Sequence, residues 1–189
     1  MRFFNFIPAL LALLFVSNTA LAQDWGEYSN RENFFTVNFP GDPTVAESPY
    51  KTAKGTTLTA RKFTASAPAD TLLAGTYSIT VVDYNSAKDE LATALEEAAA
   101  AIRSKGTVKY AGNGMIDNHR SSRLTVETPD KHRILAEILA SMAGRLYIVE
   151  ADTAITAPSP AQFQASVQIL DENGVRIRYR SVGSTERVR

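Results

Sequence analysis

Alternation constrains this chain more than any other feature. In Phe35-Thr36-Val37-Asn38-Phe39 the apolar residues fall on every second position, which is the mark of a strand with one buried face. Pro40-Gly41-Asp42-Pro43 then breaks the run as a turn. Six further segments read as strands: Gly55 to Ala65, Thr76 to Tyr84, Thr107 to Ala111, Ser122 to Thr128, Arg133 to Met142 and Arg145 to Thr153. Thr76 to Tyr84 places Tyr77, Ile79 and Val81 opposite Val82 and Tyr84, so burial on both faces is expected. Arg133 to Met142 also has apolar pairs four apart, which suit a helix. Ala143-Gly144 leads straight into Tyr147-Ile148-Val149, however, and an antiparallel hairpin is the reading adopted.

Two segments have a helical period instead. After Asn85-Ser86-Ala87-Lys88-Asp89, with Ser86 and Asp89 spaced as a capping box, Leu91, Leu95, Ala98 and Ile102 recur along one stripe. A helix is expected from about Ala87 to Ser104, ended by Gly106, with Glu96 and Glu97 on its solvated face. A second opens at Ser159 with Pro160 in its first turn and carries Phe163, Val167 and Leu170, up to Asp171-Glu172-Asn173-Gly174. The expected class is α+β: a central antiparallel sheet of about seven strands flanked by two main helices.

The start of the chain reads as a bacterial export signal. Met1-Arg2 precedes the apolar run Phe3 to Val16, and Ala20-Leu21-Ala22 supplies the small residues of a cleavage site before Gln23. The apolar run contains Pro8 and is shorter than the roughly 20 residues that cross a bilayer. The expected organisation is a cleaved leader over 1–22, one domain over 23–173 and a basic tail over 174–189, with a periplasmic or secreted location. No spanning segment is expected after cleavage.

Cysteine is absent, which rules out disulfides, a thiol nucleophile and thiolate metal sites. Lys and Arg together number 20, as do Asp and Glu, so nothing global points to nucleic acid. The charge asymmetry is local. Arg176, Arg178 and Arg180 alternate with Val175, Ile177 and Tyr179, as in a charged edge strand or an arm for an acidic surface.

No catalytic constellation is legible. His119 and His132 have no recognised ligand spacing with Asp117, Asp130 or Glu137, and they read as exposed loop histidines. Asp117-Asn118-His119-Arg120-Ser121-Ser122 offers Ser, His and a carboxylate for a hydrolase, but it reads equally as a polar turn, and no G-x-S-x-G elbow occurs. Gly112-Asn113-Gly114 lies between strand-like segments, so it reads as a turn or bulge needing positive φ rather than a phosphate loop. No cofactor, metal or catalytic residue is assigned. The candidate interaction residues are Trp25, Tyr28, Arg176, Arg178 and Arg180, with Trp25 also suited to packing on the sheet and tying down the N-terminal arm.

Three phrases carry a family resemblance: Phe34-Phe35-Thr36-Val37-Asn38-Phe39-Pro40-Gly41-Asp42-Pro43, Arg145-Leu146-Tyr147-Ile148-Val149-Glu150, and Ala161-Gln162-Phe163-Gln164-Ala165-Ser166-Val167. With the order of elements, they resemble the PsbP-like fold over roughly Phe34 to Leu170. The resemblance implies an α/β/α sandwich and a role through macromolecular contacts rather than catalysis. It supplies no binding motif to carry over residue by residue. The function expected is therefore a non-catalytic exported domain that contacts a protein or an envelope component. The alternative is a carrier of a small ligand or lipid, with a pocket between sheet and helix.

Overall fold

The computed structural model describes residues 25–141, 143–179 and 187–188; the proposed leader and Arg180 lie outside the described residues. In chain order the elements are β1 (Gly26–Asn30), β2 (Phe35–Phe39), β3 (Thr44–Lys51), β4 (Thr57–Ala67), β5 (Gly75–Asp83), a 3-10 turn (Lys88–Glu90) and α1 (Leu91–Arg103). There follow β6 (Thr107–Ile116), β7 (His119–Glu127), β8 (His132–Ala140), β9 (Arg145–Ala154), α2 (Ala161–Ala165), β10 (Gln168–Ile169), β11 (Arg178–Tyr179) and β12 (Arg187–Val188). A seven-stranded antiparallel sheet is present, in the order β3-β4-β5-β9-β8-β7-β6; six of the seven strands read from the sequence lie in it, β3 is the seventh, and the Phe35–Phe39 strand pairs in a separate three-stranded sheet. Two meanders meet at the β5–β9 pair. The chain crosses from β5 through α1 to the far edge and then winds back to the centre.

Strand alternation decides which residues meet which layer. Leu58, Ala60, Val82, Leu124, Val126, Ala136, Ile138 and Leu146 form one apolar face, which α1 covers with Ala94, Ala98, Ala99 and Ile102. Leu91 and Leu95, expected on the buried stripe, sit at its margin. The small alanines let the helix backbone approach the sheet, and that rotates the stripe. On the other face Phe63, Tyr77, Ile79, Tyr147 and Val149 meet Phe35, Val37 and Phe39 of β2, together with Phe163, Val167 and Ile169. A three-stranded sheet, β1-β2-β10, therefore forms the third layer, with α2 beside it.

The second helix is shorter than expected. α2 makes one turn and a half, and its first residues have no side-chain cap. Ser166 ends it: its hydroxyl donates to the Phe163 carbonyl at 2.7 Å and accepts from the Asn38 amide at 3.0 Å. Gln168 and Ile169 then pair with Thr36 and Phe35. An open edge on β2 attracts backbone more strongly than a further helical turn would. Asp171 to Gly174 is a hairpin turn and not a helix stop. The Asp171 carboxylate accepts from the amides of Asn173 and Val175, and Ile177 returns alongside Ile169.

Other local signals resolve differently from their reading in the sequence. Ser86 and Asp89 form no capping box; Asp89 instead pairs with Lys54 at 3.2 Å, and the helix enters through the 3-10 turn. Glu96 reaches Arg103, whereas Glu97 accepts from Thr93 and from the Ala53 amide and so holds the β3–β4 loop. Gly112 and Gly114 lie inside β6 without positive φ. The turn is made by Asp117 and Asn118, at φ 45° and 66°, the signature of a primed hairpin turn. The Tyr110 ring lies over Gly112, where a Cβ would be 2.5 Å from its hydroxyl, so the glycine makes room for an aromatic cover.

Gly106 also serves close approach rather than a left-handed cap. A Cβ there would sit 2.2 Å from the Glu127 carbonyl oxygen. Gly106→Ala is expected to destabilise the protein by about 1–3 kcal/mol through overpacking. Gly26→Ala, where nothing lies within 4 Å, is expected to change stability by less than about 0.5 kcal/mol. Urea denaturation of both variants measures the difference, and equal midpoints would refute it.

Candidate functional site

At one end of the sandwich, β7 begins, β8 ends and β9 begins, while the Ile169–Ile177 hairpin of the third layer crosses above them. Between them is a cleft of about 450 Å³ whose walls include Phe34, His119, Arg145, Tyr147, Leu170 and Ile177. His119 is not an exposed loop histidine. It is the first residue of β7, on the same face as Ser121, and is 4% exposed, with Nδ1 lacking a hydrogen-bond partner. Its polar neighbours suggested a loop, but they alternate across a strand whose two faces are both covered. Burial holds the imidazole below its ordinary pKa, outweighing the neighbouring backbone and Asp117, so the ring is neutral at pH 7.

Phe34 carries φ 56°. A bulky side chain at positive φ costs of order 1–3 kcal/mol and is held in place by its surroundings. Its carbonyl accepts from the Leu170 amide at 2.9 Å, and the Arg145 guanidinium lies 4.4 Å above its ring. The Arg145 side chain is 14% exposed and pairs with Asp83 at 3.5 Å. Tyr147 is fully buried, donates its hydroxyl to the Asn33 carbonyl at 3.0 Å, and has its pKa pushed up by burial.

The predicted interaction residues divide between two places. Trp25 stacks edge-on against Tyr77 with ring centroids 4.8 Å apart, and Tyr28 packs on Phe35, Phe39 and Phe63. Both join the aromatic core of the third layer. Arg176 donates to both oxygens of Asp117, at 2.9 and 3.2 Å, and Asp117 also accepts from the Ile169 amide. It thereby bolts the hairpin to the β6–β7 turn beside the cleft. The Arg178 backbone lies in β11, paired with Val188.

Among the described residues no triad is assembled around His119. Asp117, the nearest carboxylate in sequence, is committed to Arg176 and Ile169, and Ser122 faces the opposite side of β7 from His119. His132 sits at the other end of the sheet, where Nδ1 is 2.8 Å from Asp152, so the two histidines cannot share an ion. Among the described residues no group of three or more His, Asp or Glu is placed to hold a metal. Sequence reasoning missed Phe34, Arg145 and Tyr147 as cleft residues, because only the fold brings residues 34, 119, 145 and 177 together. The Asp117–His119 neighbourhood was the one local signal.

The sheet edges form a second candidate surface. β3 contains Pro49 and is flanked by the Glu47–Arg61 pair at 2.7 Å, both devices that discourage strand pairing. β6 runs for 10 residues without proline; it is bulged at Lys109, which pairs with Glu127 at 2.8 Å, and its stretch from Tyr110 to Ile116 carries no charge. Tyr110 is 51% and Met115 59% exposed along it. Among the described residues, no backbone group outside β7 pairs with it.

No family model matches the chain, and no curated protein matches it. Among solved structures it is similar to the solution structure of cyanobacterial PsbP (CyanoP) from Synechocystis sp. PCC 6803. The identity is 11%, the match covers 82% of this chain and 98% of that one, and the TM-score is 0.37. The α+β assignment of this chain stands on its own strand order.

The buried histidine has a measurable signature. Because its folded pKa lies below its unfolded value of about 6.5, the unfolded chain takes up the proton first as the pH falls. Stability is therefore lost on acidification through the window below about 6.5. His132 has the opposite sign: hydrogen bonding to Asp152 raises its pKa, so its small contribution is present at low pH and lost as pH rises through the folded value. Thermal melts from pH 7 to pH 5 are expected to show a shallower loss of melting temperature in His119→Gln than in wild type. His132→Gln should show an equal or steeper loss. Identical slopes for wild type and His119→Gln would contradict the buried, neutral state.

Proposed function

We propose that this protein is an exported, non-catalytic interaction domain of the bacterial periplasm, starting at Gln23 after leader cleavage. It binds a protein of the cell envelope by adding an extended segment of that partner to the β6 edge. The observation that carries this reading is the contrast between the two sheet edges: β3 is interrupted by Pro49 and carries the Glu47–Arg61 pair, whereas β6 beyond its bulge at Lys109, from Tyr110 to Ile116, carries no proline and no charged side chain. A strand laid along β6 gains backbone hydrogen bonds, each worth about 0.5–1.5 kcal/mol net, and alternate side-chain sites give the pairing its selectivity.

The side-chain sites differ on the two faces. Toward α1, Met115 pairs across with Arg120, and Arg120 borders a second cleft of about 460 Å³ with Leu91 and Leu95 of α1. An apolar residue of the added strand would be accommodated there. Toward the third layer Tyr110 and the two glycines leave a low shelf.

Photo-crosslinking in cells tests the proposal. A photoreactive residue at Met115 is expected to trap a discrete partner, while the same residue at Val45 on β3 traps none. Tyr110→Lys with Met115→Lys should abolish the adduct, detected through a photoreactive residue at Asn113, with the melting temperature unchanged. Equal adducts from β3, or an adduct that survives both lysines, would refute the edge as the contact. An adduct consisting of a second copy of the chain would replace the envelope partner with self-association.

A further inference from the structure

We infer that the cleft beneath the Ile169–Ile177 hairpin is a binding site for a small monocarboxylate with an apolar body. This site is separate from the β6 edge and does not depend on it. Its volume, about 450 Å³, falls in the range of small-molecule sites, which pair apolar walls with a few placed polar groups.

Arg145 sets the chemistry. A guanidinium presents five N–H donors in a planar fork. Here it is largely buried, and among the described residues its one ion pair is a 3.5 Å approach to Asp83. The Phe34 ring beneath it fixes the plane of the fork, and a carboxylate matches that fork through two parallel hydrogen bonds. Phe34 is itself held at positive φ, so backbone strain is stored at the wall that orients the cation. Ile169, Leu170 and Ile177 face the same space and suit a hydrocarbon or aromatic body. His119 lines it with a neutral ring and a buried Nδ1 that has no partner.

The remaining charges select for a single negative charge. Asp171 and Glu172 lie on the hairpin side of the cleft; Asp171 is buried and accepts from two backbone amides, while Glu172 is exposed. A second carboxylate or a phosphate would meet the exposed Glu172 on that side, whereas one carboxylate directed at Arg145 does not. An uncharged body would leave the guanidinium short of partners.

The two histidines provide an internal control. In imidazole ¹H–¹⁵N spectra of the full chain, titration with 3-phenylpropionate is expected to shift the His119 resonances saturably and leave those of His132 in place. The amide of the same acid, phenethylamine and phenylsuccinate should leave His119 unmoved over the same range. Arg145→Gln should weaken the acid at least tenfold. Ala143→Trp, at the exposed rim, should block it while leaving Arg145 and the fold intact. The proposal is overturned if His119 does not respond to the acid, if the amide or amine moves it equally, if both histidines move together, or if Ala143→Trp binds like wild type.

Discussion

The aromatic contact between the two sheets is the constraint on which the rest of the molecule depends. A seven-stranded antiparallel sheet has two faces to cover, and the chain provides one full helix, α1, for one of them. The other is closed by Phe35 against Phe63, centroids 5.1 Å apart, and by Phe163 against Tyr77 at 5.2 Å and Phe39 at 5.4 Å. Edge-on pairs such as Phe35–Phe63 and Tyr77–Phe163 add about 0.5–1.5 kcal/mol each beyond the area they bury. The covering sheet takes β1 and β2 from the early part of the chain and β10 from the late part. Both ends of the domain are thereby tied to the same central strands.

That closure also creates the cleft. The third layer is narrower than the main sheet and stops short of the β8–β9 turn. At its margin the chain enters β2 through the strained Phe34 and leaves β10 through the Asp171–Gly174 hairpin. Arg145 and His119 lie beneath this margin, each largely buried; among the described residues Arg145 has one ion pair, to Asp83, and His119 Nδ1 has no hydrogen-bond partner. Arg176 and Asp117 hold the hairpin down beside them. Arg176, a candidate interaction residue in the sequence, is engaged with Asp117, while Arg145, quoted in the sequence only as the start of a strand, becomes the cation of the cleft.

Much of the fold was legible because alternation directly reports which side chains are buried. It does not report which backbone pairs with which. Phe163, Val167 and Leu170 are all buried as their spacing implied, yet Phe163 lies in a short helix, Val167 between that helix and β10, and Leu170 just after β10, rather than all on one helix. β1 and β3 left little trace because their residues are largely exposed. Glycines marked turns in the sequence reading, but Gly112 and Gly106 serve close approach, and Asp117-Asn118 makes the turn. The cleft was not legible at all beyond His119, since its residues are brought together only when the outer layer folds onto the main sheet.

The bare edge of β6 is the central functional claim, and residue-resolved amide hydrogen exchange tests it most directly. If the edge is open in the free protein, alternate amides of β6, those pointing away from β7, exchange orders of magnitude faster than the amides bonded to β7. In that case the inner strands β5 and β9 are protected throughout. Uniform protection along β6 would mean that the edge is already paired or covered, and would contradict a role in capturing an extended partner.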